Sequence, residues 1–106
     1  MKEFVLNEKN ADIRKKIQRG QVLLDALDII NGDRLDAHGK PEDSFGQIAR
    51  LWSAYLFDRL ELPLERRDVA IMMALLKIAR IQTGTAVTDS FRDAAGYIGL
   101  AADMGA

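Results

Sequence analysis

The stretch VAIMMALLKIARI at residues 69–81 decides the fold. Its residues are apolar except for Lys77 and Arg80, so a helix formed here is apolar on almost every side. A helix of this kind is central in its fold or covered by partner subunits. A membrane span needs about 20 apolar residues with few charges, so this shorter stretch is not predicted to cross a membrane. We predict a helix from near Glu65 to Gln82, ended by Gly84.

Three further helices are predicted on either side of this one, from their apolar spacing, caps and stops. Their expected ranges are residues 10–30, 41–60 and 88–104, with Thr88 as the N-cap of the last. Gly20 is expected to mark a bend in the first helix. No strand pattern of comparable strength occurs, so we predict an all-α, compact four-helix protein in which residues 1–106 form a single domain.

Composition excludes several classes of protein. The 106 residues include no Cys and one His, which excludes disulfides, thiol catalysis, cysteine-ligated metals and a two-His metal site within one subunit. A net charge of -1 argues against binding to duplex nucleic acid, which favours a basic surface. No secretory signal follows Met1, and we expect a cytoplasmic protein without a membrane association.

A single chain of this size offers few helices to cover the apolar third helix. Gly96 and Gly99, inside the predicted fourth helix, are unfavourable there unless another backbone comes close. We therefore expect a homo-oligomer that uses the third helix or the glycine-bearing fourth helix as its interface. A well-covered monomeric bundle is the alternative.

Lys77 and Arg80 lie three residues apart on the third helix, so both side chains can reach one anion. A buried charge needs a partner. The structural interpretation is an ion pair with Asp68, Asp89 or Asp93, and the functional interpretation is a phosphate site. A third alternative is that both long side chains extend to the surface.

Asp89, Asp93 and Tyr97 follow one another at four-residue spacing and so share one face of the fourth helix. Two carboxylates could bind Mg²⁺ while water and a substrate phosphate complete its coordination. The same residues also suit a helix N-terminus, an ion pair with Lys77 or Arg80, and a buried hydroxyl.

The loop before the second helix collects polar residues at a helix N-terminus, where anions bind readily. Its candidate ligand contacts are Asp33, Arg34 and His38, although a simple surface turn has the same composition. Trp52, on the second helix, could stack on a nucleobase, but aromatic residues at helical spacing are more often part of a core.

Three motifs extend across most of the chain: DR-x4-GKPEDSF-x2-IA-x-LWSAYL at residues 33–56, DVA-x-MM-x2-LKIAR at 68–80, and DS-x2-D-x2-GY at 89–97. Over roughly residues 25–102 the chain resembles a family of small helical phage and prophage proteins of largely unknown function. Its pattern is distantly similar to nucleotide-modification-associated domains and to MazG-like all-α nucleoside triphosphate pyrophosphohydrolases.

This resemblance implies that Lys77 and Arg80 contact phosphate, that Asp89 and Asp93 contact a metal or that pair of cations, and that Tyr97 lines the pocket. The pyrophosphohydrolases also use an ExxE, which the second helix lacks. We therefore favour a binder of a nucleotide or cyclic nucleotide, in the form of a sponge for a host-defence signal in an infected or lysogenic bacterium. The alternatives are a Mg²⁺-dependent pyrophosphohydrolase and a structural or protein-binding bundle.

Overall fold

The computed structural model describes residues 18–32 and 40–104, which are mostly helical with no strand among them. They form α1 (Gln21–Asn31), α2 (Pro41–Tyr55), α3 (Arg66–Gln82) and α4 (Val87–Asp103), with a short 3₁₀ helix at Phe57–Arg59. The prediction of an all-α, four-helix architecture is confirmed. No helix in these two ranges has the length and apolarity needed to cross a membrane.

The beginnings of α2 and α3 follow from local sequence. Pro41 starts α2, and acidic residues occupy its first turn, where the positive end of the helix dipole favours them. Glu65 and Asp68 form a capping box at the start of α3, in which the backbone N–H of Glu65 donates to Asp68 Oδ2 at 2.8 Å. This ExxD sequence therefore stabilises a helix end.

Two helix boundaries differ from the predicted ones. α2 ends at Tyr55 instead of near Leu60, because the chain turns into the 3₁₀ helix and then folds back until the Leu64 N–H donates to Ser53 Oγ at 2.8 Å. Thr88 is not the N-cap of α4. That position belongs to Ala86, which adopts a left-handed conformation with φ 43°, and Thr88 is already inside the helix.

The first predicted helix can be compared only in part, since its expected start at Asn10 lies outside the described residues. Gly20, where we expected a bend, is the N-cap of α1 and interrupts the helical conformation. α1 then continues to Asn31, close to the predicted end.

The helices pack in the spatial order α1, α4, α3, α2. α3 and α4 make the most extensive contact, while α1 packs chiefly on α4 and α2 chiefly on α3. The buried side chains between them are mostly small, so the helix axes can approach closely. Among the described residues, the buried ones are Ala26, Ala49, Val69, Ala70, Ala74, Ser90, Gly96, Ala101 and Met104.

The side chain of Arg67, near the start of α3, binds the C-terminal end of α4. The Arg67 guanidinium donates to the backbone carbonyls of Ala101 at 3.2 Å and of Met104 at 3.1 Å. These carbonyls belong to the C-terminal end of α4, where helices lack hydrogen-bond donors and favour cations.

The glycines of α4 face a side chain of α1. A methyl group on Gly96 or Gly99 would lie 3.4 or 3.6 Å from the Ile30 side chain. We expected a neighbouring backbone at this position, and the neighbour is instead the branched side chain of Ile30. α1 therefore buries Gly96 within one chain, while Gly99 stays exposed.

α3 is central but incompletely covered. Val69, Ala70 and Ala74 are buried, whereas Leu75 and Ile78 on its other side are 57% and 44% exposed. α3 thus presents apolar side chains that its neighbouring helices do not fully bury.

Candidate functional site

Four charged side chains meet where α3 packs against α4, and we name Lys77, Asp89, Arg92 and Asp93 the ion-pair cluster. Lys77 Nζ lies 3.1 Å from Asp93 Oδ2. The Arg92 guanidinium reaches the other oxygen of the same carboxylate, with Nε and Nη2 both 3.1 Å from Oδ1. Arg92 Nη1 also lies 3.4 Å from Asp89 Oδ1, so one arginine connects two carboxylates.

Helix geometry explains this arrangement. Lys77 extends from α3 across the contact to α4, where Asp89 and Asp93 occupy consecutive turns and Arg92 is three residues after Asp89. Three acidic residues were predicted as partners for Lys77, and the structure selects Asp93. Arg92 was not predicted, although its spacing from Asp89 is typical of an ion pair on a helix surface.

The electrostatics of the ion-pair cluster centre on Asp93. Its side chain is only 12% exposed, and this burial opposes ionisation. The hydrogen bonds from Lys77 and Arg92, together with their positive charges, more than offset burial and lower the pKa of Asp93 below its ordinary value. Asp93 is therefore held as a carboxylate between two cations.

Arg80 lies outside the ion-pair cluster, one turn along α3 from Lys77. It is exposed, and within residues 18–32 and 40–104 no carboxylate is found within 4.0 Å of it. Its backbone carbonyl accepts hydrogen bonds from Thr83 and Thr85 in the turn that follows α3. The guanidinium of Arg80 is thus available to an anion from solvent.

One aromatic residue lies on the next turn of α4, and two others lie on α2. Tyr97, four residues after Asp93, is half-buried, and its ring centroid is 6.0 Å from that of Phe45 on α2 at an interplanar angle of 33°. Trp52, also on α2, is half-buried. Tyr97 and Trp52 were predicted from the sequence as ligand contacts, and Phe45 was not.

The remaining predicted contacts are Asp33, Arg34 and His38, and they lie outside the described residues. The metal hypothesis for Asp89 and Asp93 can be compared with the structure in one respect. In the part of the chain that the structure describes, no three His, Cys, Asp or Glu side chains gather at one point.

The structure also contains a groove that was not predicted and that lies away from the ion-pair cluster. An open groove of about 510 Å³ lies between the first half of α2 and the start of α3. It carries both acidic and basic side chains, among them Glu42, Arg50 and Arg66. Glu65, at its edge, belongs to the capping box of α3, so part of this groove is structural.

The fold and the ion-pair cluster define a small all-α domain with a charged contact between its two longest helices. The chain belongs to the family described as Domain of unknown function (DUF6378), which matches residues 21–105 and therefore all four helices.

Two curated phage proteins are similar to this chain. The Gene 55 protein of Mycobacterium phage L5 is 39% identical over 83 residues, which cover 78% of this chain and 51% of the relative. The Gene 55 protein of Mycobacterium phage D29 is 41% identical over 78 residues, with coverages of 74% and 49%. The chain thus spans about half the length of these relatives. No solved structure matches it.

These similarities confirm the predicted resemblance to phage proteins of unknown function. The more distant likeness to nucleotide-modification-associated and MazG-like domains stays a prediction.

Proposed function

We propose that this phage protein binds a nucleotide or nucleotide-derived anion beside the ion-pair cluster and sequesters it without catalysis. The observation that carries the proposal is the convergence of Lys77 and Arg92, from two different helices, on the single carboxylate of Asp93. This convergence fixes two cationic side chains in place before any ligand arrives, which reduces the entropy lost on binding.

The cationic groups retain hydrogen-bonding capacity for a phosphate. An ammonium group has three N–H donors and a guanidinium group has five, and the contacts within the cluster use only some of them. The Lys77 and Arg92 side chains are 16% and 30% exposed, so solvent can reach both. Arg80 adds an exposed guanidinium one turn away, and arginine suits the planar recognition of phosphate.

The aromatic residues support a nucleotide in preference to inorganic phosphate. Tyr97 lies one helical turn from Asp93, and its ring contacts Phe45. A base bound beside this pair would stack on a π surface, an interaction worth about 1–3 kcal/mol per base. Trp52 does not support this site, because its neighbour Ser53 contacts Leu64 just before α3 and, among the described residues, no contact places Trp52 beside the ion-pair cluster.

Sequestration is favoured over hydrolysis because both oxygens of Asp93 already accept contacts from cations. A Mg²⁺ ion at Asp93 would have to compete with Lys77 and Arg92, and α2 carries no ExxE to complete such a site. The alternative, a Mg²⁺-dependent MazG-like pyrophosphohydrolase, requires the ion-pair cluster to rearrange. In the sequestration proposal Mg²⁺ has no required role.

A second candidate function is a structural or protein-binding bundle, in which the ion-pair cluster only stabilises the α3–α4 contact. The low exposure of Asp93 favours this candidate. Arg80 separates the two proposals, because its exposed side chain contributes little to the fold but would contribute to an anion site.

The proposal is tested by incubating the protein with a panel of linear and cyclic nucleotides, with Mg²⁺ or with EDTA, and analysing the solution by chromatography before and after heat release. A nucleotide that disappears and returns intact on heating, with EDTA as with Mg²⁺, supports sequestration. Conversion to a monophosphate and pyrophosphate would instead establish the hydrolase. A panel that stays unchanged would favour the structural bundle.

The matched variants are Arg80→Gln and Arg59→Gln, which remove the same charge from two exposed arginines. Loss of one charge-assisted contact, worth about 1.5–3 kcal/mol, should weaken nucleotide binding by roughly 10- to 100-fold in Arg80→Gln. Arg59→Gln, in the 3₁₀ helix, should bind the nucleotide as tightly as the unmodified protein does. Equal affinities for the two variants, measured by titration calorimetry, would contradict a phosphate contact at Arg80.

A further inference from the structure

We infer that a second copy of this chain packs against the exposed face of α3, in an antiparallel arrangement with its two-fold axis near Leu75. This inference does not depend on nucleotide binding.

The α3 face is the group of apolar residues that α3 turns away from α2 and α4. Ile71, Leu75 and Ile78 form its first row and are 40%, 57% and 44% exposed. Their spacing of four and then three residues keeps them on one side of the helix. A second row runs beside the first, through Met72, Leu76 and Ala79, and Leu76 is 45% exposed.

The other face that the sequence offered for self-association is partly occupied. Gly96 of α4 is buried against Ile30 of α1 in the same chain, so a partner helix would have to displace α1 to reach it, whereas Gly99 is exposed. Of the two predicted interfaces, the α3 face is the one that a second copy can reach without displacing another helix.

The chemistry of the α3 face suits a copy of itself. Neither row contains a charged residue, so a charged partner would find no counter-charge there and two copies would meet no like charges. The four–three spacing is the repeat by which helices interdigitate as knobs into holes. A second α3 supplies that same repeat, and the net charge of -1 gives little repulsion between copies.

An antiparallel two-fold arrangement makes this contact self-complementary. With Leu75 on the axis, the row from Ile71 to Ile78 of one copy runs alongside the reversed row of the other, and each contact occurs twice. The dipoles of the two helices then oppose each other, which is favourable.

The size of the α3 face sets the expected strength of the dimer. From Ile71 to Ile78 the row extends for about 10 Å along the helix axis. A stable complex usually buries about 800 Å² on each partner, which is more than one such helix face provides. We therefore expect a dimer that dissociates on dilution, with monomer and dimer in exchange at micromolar concentrations.

Sedimentation velocity over a concentration series tests the inference, with Leu75→Glu and Leu62→Glu as a matched pair. Leu62 is 78% exposed but lies in the connection after α2, outside the α3 face. We expect the unmodified protein and Leu62→Glu to shift from monomer towards dimer as concentration rises. Leu75→Glu should stay monomeric with an unchanged helical circular dichroism spectrum.

The register is tested by cysteine substitution, because the chain contains no cysteine of its own. Leu75→Cys should form a covalent dimer under mild oxidation, since the two copies of residue 75 meet at the axis. Leu62→Cys should crosslink at least tenfold more slowly. A monomer at every concentration, or equal crosslinking of the two cysteine variants, would overturn the inference and leave the α3 face to a different protein.

Discussion

Asp93 is the residue on which most of the site geometry depends. Its carboxylate accepts contacts from Lys77 on α3 and from Arg92 on its own helix, and its side chain is almost completely buried. An ion pair of this kind is weak evidence for net stability, because desolvation opposes the Coulombic attraction. Removing Asp93 alone should nevertheless lower the stability of the fold, since it leaves the positive charges of Lys77 and Arg92 without a partner carboxylate between them.

The lowered pKa of Asp93 predicts how its contribution to stability depends on pH. Because the folded-state pKa is lower than the unfolded value of about 3.9, the contribution is fully present above that value. It is lost as pH falls through the lowered folded-state pKa. We expect Asp93→Asn to be less stable than the unmodified protein at pH 7, with the difference shrinking below about pH 4.

Urea unfolding between pH 7 and pH 3 measures this effect, and Asp58→Asn, in the exposed 3₁₀ helix, is the control. Asp58→Asn should follow the profile of the unmodified protein. A stability difference for Asp93→Asn that stays constant over the whole range would contradict the assignment of Asp93 as an ionised partner of Lys77 and Arg92.

The sequence narrowed the partner of Lys77 to three acids but could not select one. Asp68 is nine residues before Lys77, on the opposite side of α3, and the choice between Asp89 and Asp93 depends on how α3 and α4 lie against each other. Arg92 was overlooked because a lysine or arginine near a helix start is ordinarily a solvated side chain. The spacing of Asp89 and Arg92 indicated one of its contacts, but that Arg92 and Lys77 bind the same carboxylate of Asp93 depends on how α3 and α4 pack.

At the scale of the elements, boundaries set by local chemistry were predicted well and boundaries set by tertiary contacts were not. α3 begins one residue after Glu65 and ends at Gln82 with Gly84 in a left-handed conformation, as the sequence indicates. α2 is shorter than expected because a residue after the helix bonds back to Ser53. No sequence pattern within α2 predicts the contact between Leu64 and Ser53.

We predict that alanine substitution has opposite effects on stability at Gly99 and at Gly84. A methyl group at Gly99 would meet Ile30 at an ordinary contact distance of 3.6 Å, so Gly99→Ala should gain helix propensity without a clash. We expect a stabilisation of up to about 1 kcal/mol. Gly84 has φ 76°, where a side chain is disfavoured, so Gly84→Ala should destabilise by about 1–2 kcal/mol.

Thermal unfolding followed by circular dichroism compares the two variants. For a domain of this size about 1 kcal/mol shifts the midpoint by roughly 4–8 °C, so the two changes should be well separated in opposite directions. A lower midpoint for Gly99→Ala would mean that α1 lies closer to α4 than the structure indicates.

At the scale of the whole molecule, stability should be unevenly distributed. α3 and α4 share the most extensive contact, whereas α1 packs chiefly on α4 alone. Local opening costs least where few apolar contacts are lost. We expect amide hydrogen exchange to be slowest in the middle of α3 and α4 and faster in α1, with the difference measured by mass spectrometry under native conditions.

The family match covers the same four helices, so the α3–α4 contact and its charged residues belong to the part of the chain that the family model describes. The curated relatives are about twice as long as the matched region. For the predicted hydrogen exchange, the contradicting result is slow exchange throughout α1, which would show that its contact with α4 is as stable as the α3–α4 contact.

The short connection at residues 83–86, which joins α3 to α4, has a consequence for the rate at which the chain folds. Helices joined by so few residues lose little chain entropy when they meet, and proteins rich in such local contacts fold within microseconds to milliseconds. Ile30 and Gly96, in contrast, are far apart in sequence, so α1 can dock only after a much longer segment has closed. Folding should therefore start at the α3–α4 hairpin and end with α1, and the left-handed Gly84 and Ala86 belong to its earliest step.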